Sequence, residues 1–465
     1  MDKLPHVVLI SIQFILIASS IAVERWRDRN LRDGDLSDRI VFATTRAEDP
    51  KIWFNTEHPQ FVYIGQFFIG KEKFVIGKIR QRNSNEKFSR LVEDPNIKKL
   101  RQTKEISWVT QEKAQIRVRK TLDTEWPNLW YFNGDVSPSM KISEAWRSGY
   151  SGNGVVIAVL DDGVQIDHPD LAANIDTING TDVYENDDDP YPAEGSSHGT
   201  EVSGFIAAVR DNNICTVGVA YNSKIIGVRV LGEVAILDSD EARALSHKLD
   251  YVDIYSNSWG PKDGKDFSKP EILAEKALIE GVKQGRNGKG AIYLWASGNG
   301  GVDDNCNADA YSNSIYTIAI AAVEIGKNAW YSEVCTCALA AAYGGSQHDR
   351  FLTTTSTGST CTHNGIQGTS YATPIAAGIV ALCLEANPNL TWRDIQHIIV
   401  LTSSRNEFKD TYAGWTSNGA HKECNQLLGF GLMNAEAMVN QSKTWVTVPE
   451  QENCTSATRN PFVFV

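Results

Sequence analysis

The chain has 465 residues, 42% of them hydrophobic and 22% charged, and no low-complexity tract, which supports a large packed core and excludes a disordered protein. Its net charge of -12 is unevenly spread: Glu24 to Lys120 carries 22 Lys/Arg against 14 Asp/Glu, and the residues from Thr121 onward carry 22 against 42. A net of -20 on the larger part argues against a nucleic-acid partner and for cationic ligands, and the basic front part is drawn to the same surface.

In chain order, Lys3 precedes an apolar run from Val7 to Ile17, followed by the small residues Ser20 and Ala22. This pattern predicts a signal peptide over residues 1–22 and an oxidising compartment, the secretory pathway. The run is too short to span a membrane, and the sequence reads as having no later transmembrane segment, hence a soluble protein expected to be a monomer. Eight cysteines and Asn-x-Ser/Thr sequons at Asn179, Asn389, Asn440 and Asn453 fit the same compartment.

Residues 23–120 are basic and end in Arg117-Val118-Arg119-Lys120; they are expected to form a small α+β domain. From about Asn153 the chain changes character. Short β-branched runs, namely Val155 to Leu160, Lys224 to Val230, Ala291 to Trp295 and Ile315 to Ile320, alternate with small-residue helical stretches, the last running from Ala435 to Asn440. Continuous apolar strands spaced by helices predict an α/β domain over 121–445, with a doubly wound parallel sheet and working residues just past the strand ends. A short tail, 446–465, follows.

Three segments carry nucleophile chemistry. The first strand runs into Asp161-Asp162-Gly163, His198 opens a small-residue helix, and Ser370 lies in Gly368-Thr369-Ser370-Tyr371 at the start of an apolar helix. A serine hydroxyl needs an imidazole to take its proton, and the imidazole needs a carboxylate to hold its tautomer. Asn299, in Trp295-Ala296-Ser297-Gly298-Asn299-Gly300-Gly301, is the candidate donor to a developing oxyanion, with the Ser370 backbone N–H.

The blocks around Asp161, His198, Asn299 and Ser370, in that order, resemble the signature blocks of subtilisin-like serine proteases. Tyr255-Ser256-Asn257-Ser258-Trp259-Gly260-Pro261, Asn313 to Thr317, Trp330 to Glu333, and Leu384 to Asn387 with Leu390 to Asp394 narrow the resemblance to the furin/kexin proprotein convertases. It implies a subtilisin-like fold, an inhibitory prodomain over 23–120 matched best in its back half, and cleavage of precursor proteins after Arg-x-Lys/Arg-Arg. By the same resemblance Asp263 and Asp309 flank the arginine before the cut, Asp162 meets the next basic residue upstream, and Glu241 with Tyr311 the arginine two further on. Carboxylates suit a guanidinium because they can bind it bidentately.

The resemblance also implies calcium as cofactor. One site would use Asp123, Asp170 and Asn212 with the carbonyls of Val209, Ile214 and Thr216; a second would use Asp263, Asp304 and Glu333. The acidic stretch Asp182 to Asp189 is a third place for an ion or a solvated loop. The family's bridges correspond to Cys215–Cys361 and Cys306–Cys335, which leaves Cys337, Cys383, Cys424 and Cys454 without assigned partners. Self-processing would fall at Arg117, Arg119 or Lys120. Departures from the family pattern are Ser268 and Gly195, each where an acid is usual, and Val202, where a cysteine is common. The family's C-terminal β-sandwich, the P domain, does not fit into twenty residues, so the chain as written is expected to be secreted poorly and to turn over weakly. A broad degradative protease and a binding form of a convertase remain the alternatives.

Overall fold

The computed structural model describes residues 36–80, 93–113, 123–134, 136–264, 267–406, 408 and 414–452. The expected signal peptide, the basic run Arg117 to Lys120, Cys454 and the Asn453 sequon lie outside them. The chain forms two compact units, Met1–Arg119 and Lys120–Val465.

The first unit contains β1 (Leu36–Thr44), α1 (Pro50–Glu57), β2 (Phe61–Ile69), β3 (Glu72–Ile79), α2 (Pro95–Leu100) and β4 (Ile106–Lys113). Its antiparallel sheet has the order β2-β3-β1-β4. Both helices start at an Asp-Pro pair: Asp49 and Asp94 accept hydrogen bonds from Lys51 N and Asn96 N, and the proline fills the first position, where no N–H is needed. Ile40, Phe42, Phe54, Phe61, Val75, Ile97 and Leu100 form its buried core.

The second unit is built on β5 (Val156–Asp161), β6 (Thr181–Asp182), α3 (His198–Ala207), β7 (Lys224–Arg229), α4 (Asp238–Leu245), β8 (Ile254–Asn257), α5 (Ile272–Gly288), β9 (Ile292–Ala296), β10 (Thr317–Glu324), β11 (Lys327–Asn328), β12 (Ala340–Tyr343), α6 (Thr369–Ala386), α7 (Trp392–Thr402) and α8 (Ala435–Ser442). The strands run β6-β7-β5-β8-β9-β10-β12, all pairs parallel, with β11 returning antiparallel on β10. The chain leaves β5, builds β6 and β7 on one side, then crosses to β8 on the other. β5 is therefore the switch point, and its carboxyl end opens onto a crevice.

The sequence pattern of β5 explains why it lies at the centre. Ile157 and Val159 enter the core made with α3, α6, α7 and α8, while Val156, Ala158 and Leu160 enter the core made with α4 and α5. A strand covered on both faces has no use for polar residues, hence the unbroken apolar run. The observed bounds differ from the sequence reading mainly at β10, which starts at Thr317 rather than Ile315 and continues to Glu324.

One expectation needs correction. α6 is 18 residues long and apolar enough to cross a membrane, with a mean hydropathy of 1.3, although the sequence reading found no later segment of that length. It is 83% buried within the unit, so it is the central core helix, packed against α3 and the sheet. Pro374 inside α6 lacks the N–H that would bond to the Ser370 carbonyl, and Ser258 Oγ donates to that carbonyl instead, at 2.8 Å. Among the sequons, Asn389 and Asn440 are exposed, and Asn179 is half-buried with its amide donating to Asp176 Oδ2 at 2.8 Å.

Candidate active site

The crevice at the end of β5 gathers Asp161, His198 and Ser370. Asp161 closes the strand, 1% exposed, and its Oδ1 lies 2.8 Å from His198 Nδ1. Asp162 N donates to the same oxygen at 2.8 Å, while Asp161 Oδ2 is buried without a partner. His198 is the first residue of α3. Gly199 lets that helix start flush against the strand end, because a Cβ there would lie 2.1 Å from the Gly163 carbonyl oxygen.

Burial resists protonation of His198, but the charge and hydrogen bond of Asp161, then the charges of Asp162 and Glu201, outweigh it and raise the imidazole to about 9. An imidazole held this way at Nδ1 presents Nε2 as the base. Ser370 stands in the first turn of α6, and here its hydroxyl donates to the Ser258 carbonyl at 3.1 Å rather than to His198. The partner carbonyl was not anticipated from sequence, since Ser258, just after β8, and Ser370 are 112 residues apart.

Asn299 follows β9. Its Oδ1 accepts from Thr369 N at 2.9 Å and Thr369 Oγ1 at 3.0 Å, which leaves Nδ2 as a donor next to the Ser370 turn. Gly298 before it has φ +103°, and a Cβ would lie 2.0 Å from Glu333 Oε1, so only glycine allows this turn. A cleft of about 250 Å³ runs beside these groups, lined among others by Ser258, Asp263, Asn299, Asp309 and Ser370. Burial, then Asp304 and Asp263, push the Asp309 carboxyl up to about 6.

The remaining sequence candidates divide into those brought together and those employed differently. Tyr311 Oη donates to Glu241, and the Tyr311 ring stacks on Trp295 at 4.8 Å. Burial pushes Glu241 up. Asp162, expected to face a substrate side chain, accepts from His198 N at 3.2 Å and Gly199 N at 2.7 Å, so it caps the helix that carries the histidine. Burial and Asp161 raise it to about 6. Ser268 pairs its backbone with Asp309, bridging the loop after Asp263 to the cleft wall.

Two acidic groups correspond to the calcium sites that the resemblance implies. Asp263, Asp304 and Glu333 bring carboxylate oxygens within 4.8 Å of one another. Glu333 is fully buried, its Oε2 has no hydrogen-bond partner, and burial with the neighbouring acids pushes it up to about 8. That orphaned oxygen is what a calcium ligand set offers. Around loop 209–216, Asp170 accepts from Asn212 Nδ2 at 2.7 Å and Thr216 N at 2.9 Å, and Asp123 accepts from Asn212 N at 3.1 Å. Val209 N donates to the Asp170 carbonyl and Ile214 N to Asn212 Oδ1. Burial raises Asp170 to about 8, with the Asp123 charge adding to it. In the acidic stretch 182–189, one carboxylate already has a cationic partner within the chain. Asp182 is 1% exposed, pairs with Arg229 at 2.7 Å, and accepts from Tyr184 N and Glu185 N.

Both bridges implied by the resemblance are present, Cys215–Cys361 and Cys306–Cys335. Among the described residues Cys337, Cys383 and Cys424 are free. Cys337 Sγ lies 2.9 Å from Cys306 Sγ, and burial pushes its thiol up to about 11; Cys383 is a fully buried core residue.

Sequence reasoning missed Glu201 and Tyr371. Tyr371 Oη donates to Glu201 Oε2 at 2.8 Å directly behind the His198 ring, whose centroid is 5.6 Å from that of Tyr371. The available signal was a carboxylate one turn after His198 in an otherwise small, apolar helix, where an acid must find partners.

Residues 152–431 match the model of the subtilase family. Bovine furin is 43% identical over 371 residues, 77% of this chain and 46% of furin; human proprotein convertase subtilisin/kexin type 6 is 43% identical over 382 residues, 77% and 39%. The chain thus spans less than half the length of the curated relatives it matches. Among solved structures, the serine protease of Aeromonas sobria superposes with a TM-score of 0.64 at 25% identity, covering 74% of this chain and 72% of that one. A protease from Pseudoalteromonas arctica gives 0.57 at 26%, covering 70% and 100%. With the parallel sheet, the crevice at β5 and the family match agreeing, the chain belongs to the subtilase family and has the subtilisin-like fold.

Proposed function

We propose that the chain is a serine endopeptidase of the proprotein convertase type, cutting precursor proteins after basic residues. The observation that carries this reading is the acid-lined cleft beside Ser370, with Asp309 and Asp263 on its wall. Ser370 Oγ attacks the scissile carbonyl while His198 Nε2 takes its proton. Asp161 holds Nδ1–H and stabilises the imidazolium. Asn299 Nδ2 and the Ser370 N–H receive the oxyanion, and the proton then passes from His198 to the leaving amine. Glu241, held by Tyr311, would extend the acidic surface upstream, and Asp162, which holds α3 in place, would face the basic residue before the arginine. Furin and the subtilisin/kexin type 6 convertase are what the chain most resembles in sequence among the relatives given above, and secretory-pathway localisation follows from that likeness. The first unit would act as the intramolecular inhibitor, removed near Arg117, Arg119 or Lys120.

Calcium fits the group of Asp263, Asp304 and Glu333, where Glu333 Oε2 has no other partner; for the second group the resemblance alone suggests it. Held by Asp263, Asp304 and Glu333, it would neutralise acids beside the cleft; at Asp123, Asp170 and Asn212, with carbonyls of Val209, Ile214 and Thr216, it would tie loop 209–216 to the unit. Hydrolysis of a fluorogenic Arg-x-Lys-Arg peptide is expected, and to fall when calcium is chelated.

Asp309→Asn removes one charged partner of the arginine, which is worth about 1.5–3 kcal/mol, or about 10–100-fold in kcat/KM. Reaction with a small acylating inhibitor should change little. Equal losses on both substrates would make Asp309 a structural residue and the basic-residue reading untenable. Asn299→Ala is expected to lower kcat by about 10²–10³ at nearly constant KM, because the donor acts on charge that exists only in the transition state. A rise in KM instead would place Asn299 in ground-state binding.

A further inference from the structure

His198 and Ser370 occupy the first turns of α3 and α6, helices that pack against each other. One side-chain hydrogen bond joins those turns: Tyr371, the residue after Ser370, donates to Glu201, one turn after His198, at 2.8 Å. The other carboxylate oxygen, Glu201 Oε1, accepts from Ser197 Oγ at 2.8 Å and Ser356 Oγ at 3.4 Å. Glu201 is 8% exposed and Tyr371 9%. Three hydroxyl donors offset the cost of burying the carboxylate.

We propose that Glu201 and Tyr371 are a positioning pair for the reaction: their hydrogen bond sets the spacing of the helices bearing His198 and Ser370, and the buried Glu201 charge stabilises the imidazolium formed when His198 takes the serine proton. This rests on the reading of Ser370 as nucleophile and His198 as base. The titratable groups facing His198 are Asp161 and Asp162 at the end of β5, Glu201 on its own helix and Tyr371 on α6. The strand Thr354–Ser356 that covers α3 contributes only hydroxyls, Thr354 Oγ1 to the Glu201 carbonyl and Thr355 Oγ1 to that of Thr200. Glu201 is therefore the third negative group around the imidazole, and the only one of the three carried on its helix.

The test is the rate at which a small fluorophosphonate modifies Ser370, measured against pH. Ser370 Oγ bonds to phosphorus, its proton passes to His198, and fluoride leaves. The agent needs no basic side chain, so failure of the basic-residue reading leaves this readout intact. The rate rises as pH increases through the imidazole's titration, since only the neutral ring accepts the proton. In Glu201→Gln the rise should move to lower pH by about half a unit to one unit, and the plateau should fall about tenfold. Glu201→Asp keeps the charge on a shorter arm and should restore the position of the rise but not the plateau. Tyr371→Phe should lower the plateau and leave the rise where it was. A rise unmoved in Glu201→Gln would overturn the charge role. Tyr371→Phe removes a single oxygen and keeps the ring packing, so a wild-type plateau there overturns the positioning role even if Glu201→Gln fails to fold.

Discussion

Ser370→Ala is expected to abolish peptide hydrolysis, with kcat falling on the order of 10⁶-fold, the magnitude established for the same triad in a subtilisin and taken over from it. The substitution deletes the hydroxyl proposed to attack, while Asn299 and the backbone donors remain to give slight residual catalysis. Its structural effect should be small. The hydroxyl's bond to the Ser258 carbonyl is lost, but the reverse bond, Ser258 Oγ to the Ser370 carbonyl, uses backbone and persists. Thermal unfolding should therefore shift little, consistent with about 0.5 kcal/mol for a change without a buried orphan. The variant should also keep its front unit attached and run as one larger band. Normal trimming near Lys120 when the variant is expressed alone would assign the cut to another protease and end the self-processing account.

Asp161→Asn should cost about 10⁴-fold in kcat, again without disturbing the fold. The reason is tautomeric. Asp161 Oδ1 accepts from His198 Nδ1 at 2.8 Å, which obliges the neutral ring to keep Nε2 free. An asparagine amide can donate to Nδ1 instead, leaving the proton on Nε2, where it blocks transfer from Ser370. The pH dependence separates this from a loss of structure. The wild-type rate rises with pH as His198 loses its proton, and after burial, which acts the other way, the Asp161 charge is the main influence holding that proton. Removing the charge should move the rise to lower pH while the plateau stays low. A pH–kcat/KM profile that keeps its wild-type position would show that Asp161 does not control the imidazole.

Some of this molecule was legible in the residues alone, because the relevant physics is local. Val156 to Leu160 is apolar without interruption, and a strand of that kind must be covered on both faces, so the parallel sheet with helices on either side follows from the run itself. Asp161, His198 and Ser370 each sit at an element end with small neighbours, which allows close approach, and their order narrowed the fold. The two bridges, Cys215–Cys361 and Cys306–Cys335, followed from the resemblance.

Tertiary structure decided what depends on partners far away in sequence. Nothing near Asp182 says that its carboxylate faces Arg229, 47 residues on, and forms a buried ion pair. Nothing near Asp162 says that both its oxygens receive backbone N–H groups of α3, since a helix N-terminus exposes those donors to whichever acceptor the fold brings there. Glu201 and Tyr371 are separated by 170 positions, and each alone is an unremarkable residue in a helix. Their bond exists only because α3 and α6 pack against each other, and packing fixes side-chain neighbours that no periodicity in the chain encodes.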